Sequence, residues 1–179
     1  MVCTANICRS PMFGAFMRRD LLVQEAPFDV TTAGLLDWDQ PADAAAVTAM
    51  AGYGVDISGH RSRPVAALDL TSFDLILTMT REHLRELVIA EPTVFPVTFT
   101  VKAFARALDA PAGAGGSGAL AERIREISTS RTMASMMWHS IEDDVADPHR
   151  FGQQEFDATA GELADLSEVI VRNICSLAI

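Results

Sequence analysis

The sequence predicts an α/β fold: a four-stranded parallel sheet with helices on both faces, in three αβα layers. Three observations predict it. Apolar stretches of strand length alternate with amphipathic stretches of helix length, the pattern that builds parallel sheets from right-handed crossover units. Residues 73–79 form a near-continuous apolar run, as in a strand covered on both faces. Residues 3–11 place a cysteine, an arginine six positions later, a serine and a proline ahead of a helical pattern. In open α/β sheets ligands sit at the carboxyl ends of the strands, where this last stretch would lie.

The loop comes first in the chain. Pro11 suits a first helical turn, where a missing N–H costs nothing, and Ser10 occupies the expected N-cap. The backbone amides of Thr4, Ala5, Asn6, Ile7, Cys8 and Arg9 could then point inward at an anion, aided by the positive end of the helix. The same amides favour the thiolate of Cys3, and Arg9 supplies a planar fork matching two phosphate oxygens. The alternative is a buried cysteine that merely precedes a helix.

Met12, Phe13, Phe16, Met17, Leu21 and Leu22 recur at helical spacing over residues 11–25. Residues 28–34 alternate and end in Gly34, as in a strand. Residues 35–38 read as a loop carrying Trp38. The Ala-rich stretch 43–52 reads as a helix ending at Gly52. After the strand at 73–79, Thr80 is a natural N-cap for a helix over 81–90. Residues 93–97 are a strand candidate weakened by Pro96, and 100–108 a helix. The Gly-rich residues 109–118 read as a linker, since no strand and no lysine accompany them. A helix is expected over 119–137, with Met133, Met136, Met137 and Trp138 as packing surface. The last helix spans 153–177, with Phe156, Ala160, Leu163, Leu166, Ile170 and Ile174 on one face.

At 179 residues the chain reads as one domain, 1–179, with a single substantial core. A net charge of −10 argues against nucleic acid or an anionic membrane as partner. The cysteines at 3, 8 and 175 form neither a secreted disulfide framework nor a zinc ribbon. With no run of transmembrane length and no signal peptide, the chain reads as cytoplasmic.

Residues 2–12, Val-Cys-Thr-Ala-Asn-Ile-Cys-Arg-Ser-Pro-Met, resemble the phosphate loop of the low-molecular-weight protein tyrosine phosphatases, whose signature is C-x5-R-[S/T]. The segment 54–63 and the Thr78-Met79-Thr80-Arg81-Glu82-His83 pattern are also similar to that family. The resemblance implies hydrolysis of aryl phosphate monoesters through a phosphocysteine, with Cys3 as nucleophile, Arg9 and the loop amides as phosphate ligands, and Ser10 bonded to the sulfur. Asp147, followed by Pro148, is implied as general acid; Asp143 and Asp144 lack the proline and rank below it. His60 would hold Asn6, and Thr32 would stand for a serine that supports the loop. Trp38 falls where an aromatic lines the mouth, although it could instead cap the core. His149 stands near the mouth where the family often has tyrosine.

No metal and no cofactor is implied. The implied partner is a phosphotyrosine-containing protein or a small aryl phosphate; inorganic phosphate or sulfate would also fit the loop, and a homodimer is compatible with it. Cys8 would pair reversibly with an oxidised Cys3. Arsenate reduction is the weaker reading, because further cysteines are lacking, and arginine phosphatases carry threonine where Ile7 stands. In the family the loop follows a longer central strand, so the first strand is expected to be largely missing, with its neighbours unpaired and Cys3 on a fraying end. That opens the rival reading of a catalytically impaired phosphate-binding or interaction protein. Residues 98–140 are expected to be an atypical helical and Gly-rich insertion.

Overall fold

The computed structural model describes residues 1–110, 120–134 and 141–177. Val2–Cys3 (β1), Ala33–Gly34 (β2), Ile76–Thr78 (β3) and Thr98–Thr100 (β4) form one parallel sheet in the order β2-β1-β3-β4. The register pairs Cys3 with Gly34, Val2 with Thr78 and Leu77 with Phe99. Short as β1 is, it lies at the centre of the sheet and is bonded on both sides. The amides of Ala33 and Leu35 donate to Met1 and Cys3, and the amide of Met79 donates to Val2. The expected fraying is therefore corrected, because the β2 side holds Met1 and Cys3 while the β3 side holds Val2 between them.

Period two divides the sheet between two cores. Val2 and Ile76 point to one face, with Leu87 and Val94. Cys3, Leu77 and Phe99 point to the other, the larger core. That core is built by helices Arg9–Val23 (α1), Ala44–Ala51 (α2), Val101–Asp109 (α4) and Gln153–Leu177 (α6), through Phe13, Phe16, Phe104, Phe156 and Leu163. Helix Arg81–Ala90 (α3) supplies Leu87 to the opposite face.

The local chemistry explains most boundaries. The Asp43 side chain caps α2 by accepting from the Ala45 amide at 2.9 Å, and Thr80 caps α3 by accepting from the His83 amide at 3.2 Å. The last helix falls on 153–177 as its apolar periodicity predicts. The strand expected at 93–97 is instead a 3-10 helix, Pro92–Val97, and the fourth strand follows it. The Glu91 side chain turns the chain by accepting from Thr93, and Pro96 has no N–H for a ladder. Residues 98–109 are accordingly not an insertion: they supply β4 and α4, with Phe99, Phe104 and Leu108 in the main core. The strand expected over 28–34 shrinks to β2, since pairing extends no further than the residues of β1 beside it. Helix α5 is Leu120–Thr129, shorter than expected, and Met133 beyond it is exposed. Met136, Met137, Trp138 and residues 111–118 of the linker lie outside the described residues.

Two glycines permit close approach. A Cβ on Gly14 would meet the Thr32 methyl at 2.3 Å, so α1 lies directly on that segment. A Cβ on Gly34 would lie 2.8 Å from the Ala5 carbonyl carbon and 2.9 Å from the Asn6 nitrogen. Both are backbone atoms of the loop after β1, which cannot give without moving the loop. Gly34→Ala is therefore expected to destabilise the protein by about 1–3 kcal/mol, measured by denaturant unfolding. An unchanged midpoint would show that the loop yields freely.

Candidate active site

The loop between β1 and α1 is built around Cys3 and Asn6. Cys3 is buried at the carboxyl end of the central strand. Asn6 has φ 55°, a left-handed conformation that asparagine tolerates better than most residues. Four hydrogen bonds hold it there. Its amide donates to the Cys3 sulfur at 3.2 Å, and its carboxamide nitrogen donates to Ser10 Oγ at 2.8 Å. Its carboxamide oxygen accepts from the Arg63 amide at 3.0 Å, and its carbonyl accepts from His60 Nε2 at 2.7 Å. Burial lowers the pKa of His60, consistent with a neutral ring whose N–H faces that carbonyl. His60 thus grips the asparagine backbone, while Arg63 orients its side chain.

Ser10 is not the N-cap expected from the sequence. Helix α1 starts at Arg9, and its N-cap is Cys8, which makes no side-chain cap bond. The Ser10 hydroxyl is engaged elsewhere: Oγ lies 2.9 Å from Cys3 Sγ and accepts from Asn6. Its proton has two acceptors in reach, the Cys3 sulfur at 2.9 Å and the Ala33 carbonyl at 3.4 Å, of which the sulfur is the nearer. A Cys3 thiolate would hence receive two donors, Ser10 O–H and Asn6 N–H. Among the described residues, the amides of Ala5, Ile7, Cys8 and Arg9 are hydrogen-bonded to no protein acceptor. They are the donors left for an oxyanion at the helix N-terminus.

Thr32 departs from its expected role. It is buried, but among the described residues its hydroxyl makes no hydrogen bond to the loop, and its methyl packs over Gly14. The extra methyl of threonine fills the space that Gly14 leaves. The neighbouring Ala33 carbonyl approaches Ser10 Oγ instead, at 3.4 Å.

Arg9 is buried, and its guanidinium donates to Asp147 Oδ2 at 2.5 Å and to the Val145 carbonyl at 3.2 Å. The Val145 amide in turn donates to the Met79 carbonyl beyond β3 at 2.8 Å. The acidic segment is thereby pinned to the carboxyl edge of the sheet, and Asp147 comes to the loop. Asp143 and Asp144 do not reach the cleft. Asp143 pairs with Arg81 and Arg106, and Asp144 accepts from the Arg81 amide at 2.8 Å.

Cys3, Arg9, Asp147, Trp38 and His149 line one cleft of about 160 Å³. Trp38 is 47% exposed, a position at the mouth rather than a cap on the core. Ile7 and Leu36 add apolar surface to the same cleft. Cys8 also lines the cleft, though largely buried, and burial together with Asp43 pushes its thiol pKa up.

His83 is the residue that sequence reasoning passed over. It completed a motif, but nothing in its spacing shows that it reaches Thr4. Its Nε2 lies 2.9 Å from Thr4 Oγ1, while buried Nδ1 has no partner among the described residues. A proton on Nε2 leaves Nδ1 only an unfilled lone pair, the less costly orphan. Thr4 then accepts from His83 and keeps its own O–H for the loop.

Burial and the nearby Arg9 charge lower the His83 pKa to about 4 from an ordinary 6.5. Between those values the unfolded chain takes up a proton that the folded chain refuses. The stability associated with neutral His83 is therefore full above pH 6.5 and declines as pH falls toward 4, by about 3 kcal/mol. Thermal unfolding at pH 7 and pH 4.5 should show a smaller acid shift in His83→Gln than in the parent. Equal shifts would mean that His83 is not held neutral.

Residues 1–109 match the family model described as low molecular weight phosphotyrosine protein phosphatase. The low molecular weight protein-tyrosine-phosphatase Etp of Escherichia coli K12 is 37% identical over 95 residues, which span 52% of this chain and 62% of that protein. The chain thus matches less than two thirds of the length of that curated relative. The low molecular weight protein tyrosine phosphatase of T. tengcongensis superposes with a TM-score of 0.71 at 26% identity, covering 96% of this chain and 95% of that one. Vibrio vulnificus Wzb, solved in complex with benzylphosphonate, shares the fold with a TM-score of 0.67 at 21% identity, covering 96% of this chain and 94% of its own.

Proposed function

The chain belongs to the low molecular weight phosphotyrosine protein phosphatase family, and on that premise we propose that it hydrolyses aryl phosphate monoesters through a phosphocysteine intermediate. One observation carries the reading. Ser10 and Asn6 converge on the Cys3 sulfur, while Arg9 and Asp147 line the same cleft. A phosphate dianion entering the loop takes up the Arg9 fork and the inward amides. That releases Asp147 from its pairing with Arg9, and the freed carboxylate takes up a proton from water in the open cleft. The Cys3 thiolate attacks phosphorus, the bond to the aryl oxygen breaks, and Asp147 gives that oxygen its proton. Water then attacks phosphorus and loses a proton to Asp147. The P–S bond breaks, and the returning thiolate is again held by Ser10 and Asn6.

The cleft favours an aryl ester. Ile7, Leu36 and Trp38 give it apolar surface for a ring, as expected for phosphotyrosine. An arginine phosphate would need an acceptor for its guanidinium where Ile7 offers none. The three cysteines are free thiols, which suits the cytoplasm, and among the described residues no helix is long and apolar enough to cross a membrane.

Hydrolysis of para-nitrophenyl phosphate by the purified chain is the test. Turnover with competitive inhibition by inorganic phosphate, and a phosphotyrosyl peptide preferred to phosphoarginine, is the expected result. A folded chain that binds phosphate without turning over the ester would overturn the reading and leave a binding protein.

A further inference from the structure

Three residues from separate segments meet beside the loop without a role in the chemistry just described. Cys8 closes the loop before α1, Asp43 caps α2, and His149 follows Asp147 by two positions. One donor atom from each lies within 4.8 Å of the other two. The position of Asp43 is secured on both sides: its amide donates to the Ile7 carbonyl at 2.9 Å, and Oδ1 accepts from the Ala45 amide. Its other oxygen, Oδ2, lies 3.4 Å from His149 Nδ1, too long for a strong hydrogen bond. Two of the three residues are part-exposed, with side-chain exposures of 23% for Asp43 and 43% for His149. Cys8 and His149 both line the cleft, which gives an entry path.

We propose that Cys8, Asp43 and His149 bind a zinc ion that inhibits the enzyme. A thiolate, an imidazole and a carboxylate form a donor set suited to zinc. The hard ions magnesium and calcium prefer oxygen ligands alone. Three protein ligands leave the fourth tetrahedral position to a water from the cleft. On binding, the Cys8 thiol proton leaves to solvent as the S–Zn bond forms, with no change in oxidation state.

The inhibition follows from connectivity. The His149 amide donates to Asp147 Oδ1 at 3.1 Å, so a metal that fastens His149 to α2 and to the loop also fixes the segment carrying the acid. The inhibitory half rests on the phosphatase reading, whereas the binding half does not.

The test separates the two. Cys3→Ser removes the other cleft thiol, so zinc is titrated into that variant against a chromophoric chelator. One zinc is expected to be retained. Retention should weaken by at least about 10-fold when Asp43→Asn or His149→Ala is added. Asparagine preserves the N-cap, so Asp43→Asn changes the ligand and not the helix. Cobalt in place of zinc should give a thiolate charge-transfer band that disappears in Cys8→Ser. No retained zinc in Cys3→Ser, or equal retention in Asp43→Asn, would overturn the site. In the parent chain, zinc should stop para-nitrophenyl phosphate turnover, EDTA should restore it, and Asp43→Asn should be less sensitive. Zinc bound with turnover unchanged would overturn the inhibitory half. Zinc bound by a chain without any turnover would count against the phosphatase reading while the site stood.

Discussion

Cys3→Ser is expected to lower para-nitrophenyl phosphate turnover by about 10⁴-fold or more. The substitution is close to isosteric, and the Ser10 hydroxyl and Asn6 amide keep a partner of similar size. What disappears is the thiolate. An alcohol in the same place is not ionised, and no general base is hydrogen-bonded to it: its partners are a hydroxyl and an amide N–H. The loop amides and Arg9 remain, so inorganic phosphate should still raise the melting temperature of the variant. That pairing of results separates a lost nucleophile from a lost fold. Residual turnover above about 1% of the parent would mean that Cys3 does not carry the reaction.

Asp147→Asn should reduce kcat by about 10²–10⁴-fold for esters with poor leaving groups such as phenyl phosphate. The loss should be much smaller for para-nitrophenyl phosphate, whose leaving phenolate needs little protonation. A second effect has the opposite sign. Arg9 donates to Asp147 at 2.5 Å, and a phosphate must compete for that guanidinium. The Asp147 side chain is 47% exposed, so solvent screening keeps the pair weak. Removing its charge should tighten phosphate inhibition several-fold while turnover falls. Equal losses across leaving groups would point to a structural role for Asp147 instead of proton delivery.

Much of this site was legible in the sequence because its main parts are local. A cysteine, an asparagine, an arginine and a serine within eight residues must share one turn and one helix start. The cap at Thr80 and the long apolar face of α6 were legible for the same reason, since each depends on residues at most a few positions apart. The misplaced elements were those that depend on a partner. Residues 93–97 have strand composition, yet β4 forms at Thr98–Thr100, the stretch that lies beside β3. Ser10 has the composition of an N-cap, yet its hydroxyl faces Cys3 and Asn6.

By itself, then, the sequence determined the cysteine-to-proline loop ahead of a helix, the alternation that yields a parallel sheet, and the Asp147-Pro148 pair whose aspartate the fold brings to that loop. Tertiary structure alone decided that a two-residue strand holds the centre of that sheet, because its hydrogen bonds come from the strands on either side. It also decided that His83 reaches Thr4, and that Cys8, Asp43 and His149 converge. These pairings join residues far apart in the chain. They exist only once two sheet neighbours and the packed helices have placed the backbone, and no propensity or spacing within one segment encodes such distances.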